Sequence, residues 1–363
     1  MTVACRRREV HFKGSADRGA SVFSIRGPGS SGESLSRRPG CGLCVAVANS
    51  PSVAVIDIGS NSLKALVACR DAGGGIQALR TWTLDVRISA GIGGLHPRLS
   101  EDAMQRGLAA IRRLLAETLP FAPRRTVLVA TSAVRDAANG AEFNRRLRDA
   151  TGFDLRILTG DEEARLIGRG LAADPGLQEL QDFYVFDLGG GSLECLALRA
   201  RQTEQAVSLP LGCVRLTERC VADPAAPFGD GSRLRVAELC REVLAKSGFR
   251  FALAPDAAAV FAGGSVTTVR AIFAERAGQP LAETSPLITV DSLRALLADV
   301  APLPIVERQK IRGLPAARAD VFPVALATAI AVAEAGGLST FRHSFYNLRF
   351  GLADELLGGR ETG

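Results

Sequence analysis

Two stretches of this chain carry the same arrangement of small and acidic residues. VIDIGSNSLKALVA runs from Val55 to Ala68, and VFDLGGGSLECLAL runs from Val185 to Leu198. One slides onto the other at a constant offset of 130 residues. In each, an apolar run reaches an acid (Asp57, Asp187) and then a glycine (Gly59, Gly189). Small polar residues follow (Ser60, Asn61 and Ser62; Gly190, Gly191 and Ser192), and then a second apolar run. Glycine lets backbone N–H groups approach a ligand, and successive N–H groups in such a turn form an anion-binding nest. Ser and Asn add hydroxyl and amide donors. The expected chemistry is the grip of a phosphate. A dinucleotide fingerprint does not fit, because a strand and not a helix follows the turn. A single copy would equally be an ordinary tight turn; two copies, each heading a similar half, argue for a pair of phosphate loops.

The copies differ where Lys64 meets Glu194. Lys64 beside the first turn attracts phosphate. Asp187 and Glu194 bring carboxylates toward the same phosphates, which makes sense with a hard cation between them. Mg²⁺, or another divalent cation, binds through one or two carboxylates plus substrate phosphates. Glu194 as a plain solvated strand residue is the alternative.

A third acidic cluster is GDEEARLIGRG, residues 160–170. The helical period puts Glu163, Leu166, Ile167 and Gly170 on one apolar face, and Glu162, Arg165 and Arg169 on a polar one. Glu163 therefore points inward at a helix start, and Glu162 is expected to pair with its arginines in solvent. The alternative for Glu163 is a cap on its own helix. The helix dipole there favours the ionised carboxylate. In AGGSVTT, Gly263, Gly264 and Ser265 open a helix, a geometry that suits an anion and equally a plain cap.

The elements that would position these residues follow from periodicity. Strands are expected at 53–58, 63–69 and 76–84, then a helix at 99–119 with Ser100 as cap and Pro120 as stop. A strand at 126–130, a helix at 142–150, a strand at 155–158 and a helix at 161–171 complete the first half. The pattern restarts with strands at 183–188, 193–198 and 206–209. Helices at 233–246, 267–277, 290–300 and 318–335 and a strand at 258–261 follow. Duplicated α/β halves imply two similar domains facing across a cleft.

Bulk composition bounds the rest. The chain has 363 residues, 47% hydrophobic and 23% charged, a globular composition. No apolar run reaches the length of a membrane span. The net charge of +6 is misleading. Residues 1–50 hold eight Lys/Arg and three Asp/Glu, which leaves the remainder at +1. A broad basic surface for nucleic acid is not supported. That Arg-, Gly- and Ser-rich stretch is expected to be a disordered tail or a mis-called start, and it lacks a signal-peptide core. Cys41 and Cys44 form a lone CxxC and the other cysteines are scattered, against a disulfide framework or a structural zinc. A reducing cytoplasm is the default.

The hairpins resemble the phosphate loops of the actin, hexokinase and heat-shock chaperone ATPase superfamily. Within it the match is closer to the exopolyphosphatase/guanosine pentaphosphate phosphatase family. It rests on VIDIGSNSLK (55–64), ATSAVRDAANGAEF (130–143), GDEEARL (160–166), VFDLGGGSLE (185–194), SLPLGCVRLTE (208–218) and AGGSVTTVRAI (262–272), in the family's order. The resemblance implies an α/β fold of two duplicated actin-like (ribonuclease H-like) domains with a cleft between them. Domain I would span 52–161, completed by 343–358, and domain II 162–342. The resemblance also implies that Glu163 is the catalytic base, and Arg135 a phosphate-binding arginine. Asp57, Gly59, Ser60, Asn61, Ser62, Lys64, Gly189, Gly190, Gly191, Ser192, Gly263, Gly264 and Ser265 would bind phosphate, and Asp187 and Glu194 the metal. Arg349, in the closing segment YNLRFGLADELL, is a weaker candidate for the cleft. His11, His96 and His343 fall outside the matched motifs, against a histidine base. The loop at 87–100 lacks an acid usual there, and the chain resembles the short form without the C-terminal helical domain.

The expected activity is release of terminal orthophosphate from inorganic polyphosphate by metal-assisted water attack. Guanosine pentaphosphate as substrate is the nearest alternative. A non-catalytic polyphosphate or nucleotide sensor and an ATP-dependent sugar kinase are more distant ones. Neither nucleic acid nor membrane is an expected partner. A homodimer is left open by the residues.

Overall fold

The computed structural model describes residues 50–358 apart from 90, 93 and 95. Expectations for residues 1–49, including His11 and the Cys41/Cys44 pair, lie outside them. The first half opens as a meander of β1 (Val53–Ile58), β2 (Ser62–Arg70) and β3 (Ile76–Asp85). Strands β4 (Arg125–Ala130) and β5 (Leu155–Ile157) then run parallel to β1, giving the order β3-β2-β1-β4-β5. The second half repeats this with β6 (Phe183–Leu188), β7 (Leu193–Arg199), β8 (Gln202–Leu209), β9 (Ala258–Ala262) and β11 (Thr340–His343). Strand β10 (Leu287–Thr289) adds an edge, and the order is β10-β11-β9-β6-β7-β8.

The duplication reaches the level of register. Asp57 lies opposite Lys64 in the first hairpin, and Asp187 opposite Glu194 in the second. The pairing of β2 with β3 slips between Val67 and Ala68, and that of β7 with β8 between Ala197 and Leu198. The slips too are 130 residues apart. A bulge raises the local twist, so both meanders bend at the same point.

Helices cover the sheets. In the first half these are α1 (Glu101–Thr118), α2 (Ser132–Arg135), α3 (Gly140–Thr151) and α4 (Gly160–Ala172). In the second they are α5 (Cys213–Cys220), α6 (Asp230–Lys246), α7 (Gly264–Ala277), α8 (Val290–Val300), α9 (Ile305–Arg308), α10 (Phe322–Gly336) and α11 (Leu348–Gly358). Ser100 caps α1 by accepting from the Ala103 N–H. Helix α10 starts at Phe322, not at 318. Pro323 has no N–H to donate and belongs in a first turn, so Arg318 is left in a short 3₁₀ turn ahead of the helix. Strand β8 starts four residues earlier than its apolar run, because its first residues are the exposed polar ones of a hairpin. Helix α5 and strands β10 and β11 carry too few residues for a periodic signal.

Helices α4 and α11 tie the halves together. Helix α4 packs on β7 and β8, while α11 packs on β1 and β2. They meet through glycine. A Cβ on Gly170 would strike the Asn347 carbonyl, and one on Gly351 would strike the Leu166 carbonyl. Arg169 and Arg165 pair with Asp354 and Glu355 across this contact. One apolar cluster runs from Val55 and Leu66 through Leu166 and Leu352 to Val185 and Val260, so a single core spans the crossing.

Candidate active site

Both glycine hairpins open into one cleft. It holds about 670 Å³ of atom-free space, counting its open mouth, and Gly59 and Gly189 both line it. Asp57, Ser60, Asn61, Ser62, Lys64, Glu163, Asp187, Gly190, Ser192, Glu194, Gly263, Gly264 and Ser265 line it as well. The hairpins are packed closely. A Cβ on Gly190 would stand 2.8 Å from the Ser60 Cβ, and the Ser60 and Ser132 hydroxyls are 3.1 Å apart. Gly191 does not line the cleft; it packs behind, against the Ser132 and Ser60 hydroxyls. Gly263 caps α7 with φ +101°, and a Cβ there would come within 2.6 Å of the Leu188 carbonyl and 2.7 Å of Asp187 Oδ1. Only glycine allows this turn to lie against the second hairpin.

Glu163 is buried, as its helical face requires. It does not cap its own helix. Its neighbour Glu162 does, in a reciprocal box in which the Thr159 N–H donates to Glu162 and the Glu162 N–H to the Thr159 hydroxyl. Glu162 also pairs with Arg156, 2.9 Å away, and not with Arg165 or Arg169, which α11 has taken. Glu163 instead accepts a 2.8 Å bond from Arg135, whose same nitrogen donates to the Leu158 carbonyl. Arg135 therefore sits behind Glu163 and is not among the residues lining the cleft. Burial, helped by the nearby Glu194, lifts the Glu163 carboxyl well above its ordinary range, against the pull of Arg135. The desolvation outweighs the helix dipole, which would have kept the group a weak base.

The second hairpin is an acid opposite an acid. Burial raises Asp187 to about 6, with Asp57 adding to the effect. Burial and Asp187 together raise Glu194 to about 7, although the Ser208 hydroxyl donates to it at 2.7 Å. In the first hairpin the partner is a base: burial lowers Lys64 to about 8, and the positive Arg349 and Arg318 add to that. Asp57 Oδ1 is buried without a hydrogen-bond partner, and burial raises that carboxyl too. Such hard oxygen donors, under-compensated by cations, suit a divalent metal ion. Among the described residues no cluster of three or more His, Cys, Asp or Glu could hold a metal alone.

Residues that periodicity did not reveal complete the wall. Arg318 crosses from the second half, its guanidinium 2.6 Å from the Ser62 hydroxyl, and a Cβ on Gly264 would meet it at 2.7 Å. Thr131, Ser132, Cys213 and Asn347 also line the cleft. Ser132 lies inside the ATSAVRDA stretch and could have been read there; Arg318 sits in a turn with no local signal. Arg349 is buried with the positive charge that Asp57 and Asp187 face. His343 is no base: burial and Arg270 push it down to about 3, and Arg270 lies 3.1 Å from its Nδ1. Two arginines pair across the halves. Arg87 pairs with Asp320. Arg215 pairs with Asp136 and donates to the Gly191 and Ile92 carbonyls.

The chain is similar in fold to an exopolyphosphatase from Cytophaga hutchinsonii, with a TM-score of 0.75 at 23% identity over 86% of this chain and 99% of that one. It is likewise similar to the PPX-GPPA enzyme of Aquifex aeolicus, with a TM-score of 0.68 at 24% identity over 84% and 99%. These likenesses show that the chain shares their fold. The family model described as the Ppx/GppA phosphatase family matches residues 66–359, beginning within β2, past the turn of the first hairpin, and running through the second hairpin. A match of that extent places the protein: the chain belongs to the Ppx/GppA phosphatase family.

Proposed function

We propose that the protein is an exopolyphosphatase, releasing terminal orthophosphate from inorganic polyphosphate. The observation that carries this reading is a buried glutamate, Glu163, in the wall of a cleft built from two duplicated Gly/Ser hairpins. A row of phosphoryl groups offers the repeated anions that two such hairpins suit. In this reading the N–H groups after Gly59 and Gly189, the Ser60, Ser62 and Ser192 hydroxyls and the turn at Gly263–Ser265 orient the chain end. Lys64 offsets phosphate charge from the first hairpin.

Asp187 and Glu194, opposite each other in the second hairpin, would hold a divalent cation. When bound, such an ion neutralises charge on the phosphoryl oxygens. Glu163 takes the proton of the attacking water. A carboxyl raised by burial is a stronger base than a solvated one, and Arg135 pulls against that rise.

The test is phosphate release from polyphosphates of several lengths and from guanosine pentaphosphate, with Mg²⁺. The reading expects orthophosphate from polyphosphate, and Glu163→Gln to cut the rate roughly 100- to 10,000-fold with substrate still bound. Release only from guanosine pentaphosphate would move the substrate to the alternative. Binding with no release from either would make the protein a sensor.

A further inference from the structure

One edge of the first sheet stands open. Strand β3 ends the order β3-β2-β1-β4-β5, and at 10 residues it is long for an edge. The Val86 N–H donates to the Asn61 carbonyl at 3.1 Å, and hydrogen-bonded and non-hydrogen-bonded pairs alternate along an antiparallel ladder. Counting back through the register, Leu84, Trp82 and Arg80 bond to β2, while Thr83 and Thr81 turn their N–H and C=O groups outward. Among the described residues no other segment bonds to those outward groups. Apolar surface flanks the strand. The Trp82 ring meets Phe121 edge to face at 5.7 Å, and Leu119, in the 3₁₀ turn that carries Phe121, is 73% exposed.

The duplicated half supplies the comparison. Gln205 of β8, opposite Ala197, has the register place that Arg80 of β3 has opposite Val67. Gln205 holds the backbone of Arg250, accepting from its N–H at 2.8 Å and donating to its carbonyl at 3.1 Å. The residue at the slip of β8 is Glu204, paired with Arg199 at 3.1 Å. A segment tied alongside and a charge at a bulge both guard an exposed strand against pairing. On β3 the residue at the slip is Leu79, and Arg80 has no bonding partner among the described residues. Outward backbone groups are a template for another strand, and a twofold pair needs a strand complementary to itself. We infer that two copies of the chain pair through β3, antiparallel about a twofold axis at Thr81, joining two five-stranded sheets into one of ten. The outward groups of Thr81 then bond to those of Thr81 in the other copy. Arg80 of each copy falls directly opposite Trp82 of the other, on the same face of the sheet, so an unpaired guanidinium meets an indole. Leu79 falls opposite Thr83, and no like charges meet. The pairing does not depend on how the cleft is read.

Light scattering and hydrogen exchange on the full chain test the pairing. The chain should be a dimer that dissociates on dilution, with the Thr81 and Thr83 amides protected in the dimer and exchanging in the monomer. Thr81→Pro removes an outward N–H, which an edge strand tolerates, and should give a monomer with an unchanged melting temperature. Arg80→Glu should weaken the dimer roughly five- to thirtyfold, because two cation–π contacts worth about two- to fivefold each are lost. Should Thr81→Pro lower the melting temperature, Arg80→Glu alone decides. A monomer at every concentration overturns the proposal. So does a dimer in which Thr81 and Thr83 exchange freely, or one that neither substitution weakens, since the contact would then lie on another surface.

Discussion

Replacing Glu194 with Gln should stabilise the protein in alkaline buffer and leave it nearly unchanged in acid. Glu194 ordinarily titrates near 4.5, and in the fold burial and Asp187 raise it to about 7. A carboxyl raised by folding costs nothing below its unfolded value, where both states are protonated. The cost grows as pH climbs from 4.5 toward 7 and is complete above that. The distance between the two values converts to about 3 kcal/mol at pH 8, and to about 1 kcal/mol or less at pH 5. Gln keeps an oxygen to accept from the Ser208 hydroxyl, which now bonds Glu194 at 2.7 Å, so the substitution removes the charge with little other change. Urea unfolding of the metal-free protein at pH 5 and pH 8 measures the difference. The variant should gain roughly 2–3 kcal/mol at pH 8. An equal gain at both pH values, or a loss at pH 8, would refute the view that the second hairpin stores unrelieved acid charge.

Two further outcomes follow from local geometry. Gly263→Ala should cost roughly 2–4 kcal/mol in denaturant titration, because it combines a left-handed φ with a Cβ 2.6 Å from the Leu188 carbonyl; a loss below 1 kcal/mol would mean that the turn can shift off the hairpin. Glu162→Ala should remove half of the reciprocal cap on α4 and lower stability by about 1 kcal/mol, while phosphate release stays within about twofold of the parent, in contrast to its neighbour Glu163.

The contrast between those two glutamates marks what the sequence could and could not convey. Helical period alone separates them, since 3.6 residues per turn puts adjacent side chains about 100° apart. Burial of Glu163, Leu166, Ile167 and Gly170 follows that rule. The partner of Glu162 was legible too, in Thr159 three residues before it, the spacing of a capping box. The weight given to arginines on the same face hid it. Arg318 and Arg215 are of another kind. They reach the first half from turns and helix starts of the second, across 256 residues in the bond to Ser62 and 123 in the bond to Ile92. No local period encodes such contacts; they exist only once the halves have been brought together by α4 and α11.

The offset of 130 residues carries a deeper consequence. Strand order, hairpin register and the slip in the meander are all shared between the halves, so the backbone offers two equivalent glycine turns. What differs is the residue opposite the strand-end acid. In the first half Lys64 compensates Asp57; in the second Glu194 compounds Asp187. A symmetric pair of Lys hairpins would bind phosphate tightly and hold it. A symmetric pair of Glu hairpins would repel it. One of each gives a cleft with a base in one hairpin and paired acids in the other on the same scaffold, and Lys64 and Arg349 offset the charge of Asp187 only in part. If the cleft is the phosphohydrolase site proposed above, the divergence at that single register position would separate a cleft that merely holds phosphate from one that can also let the product go.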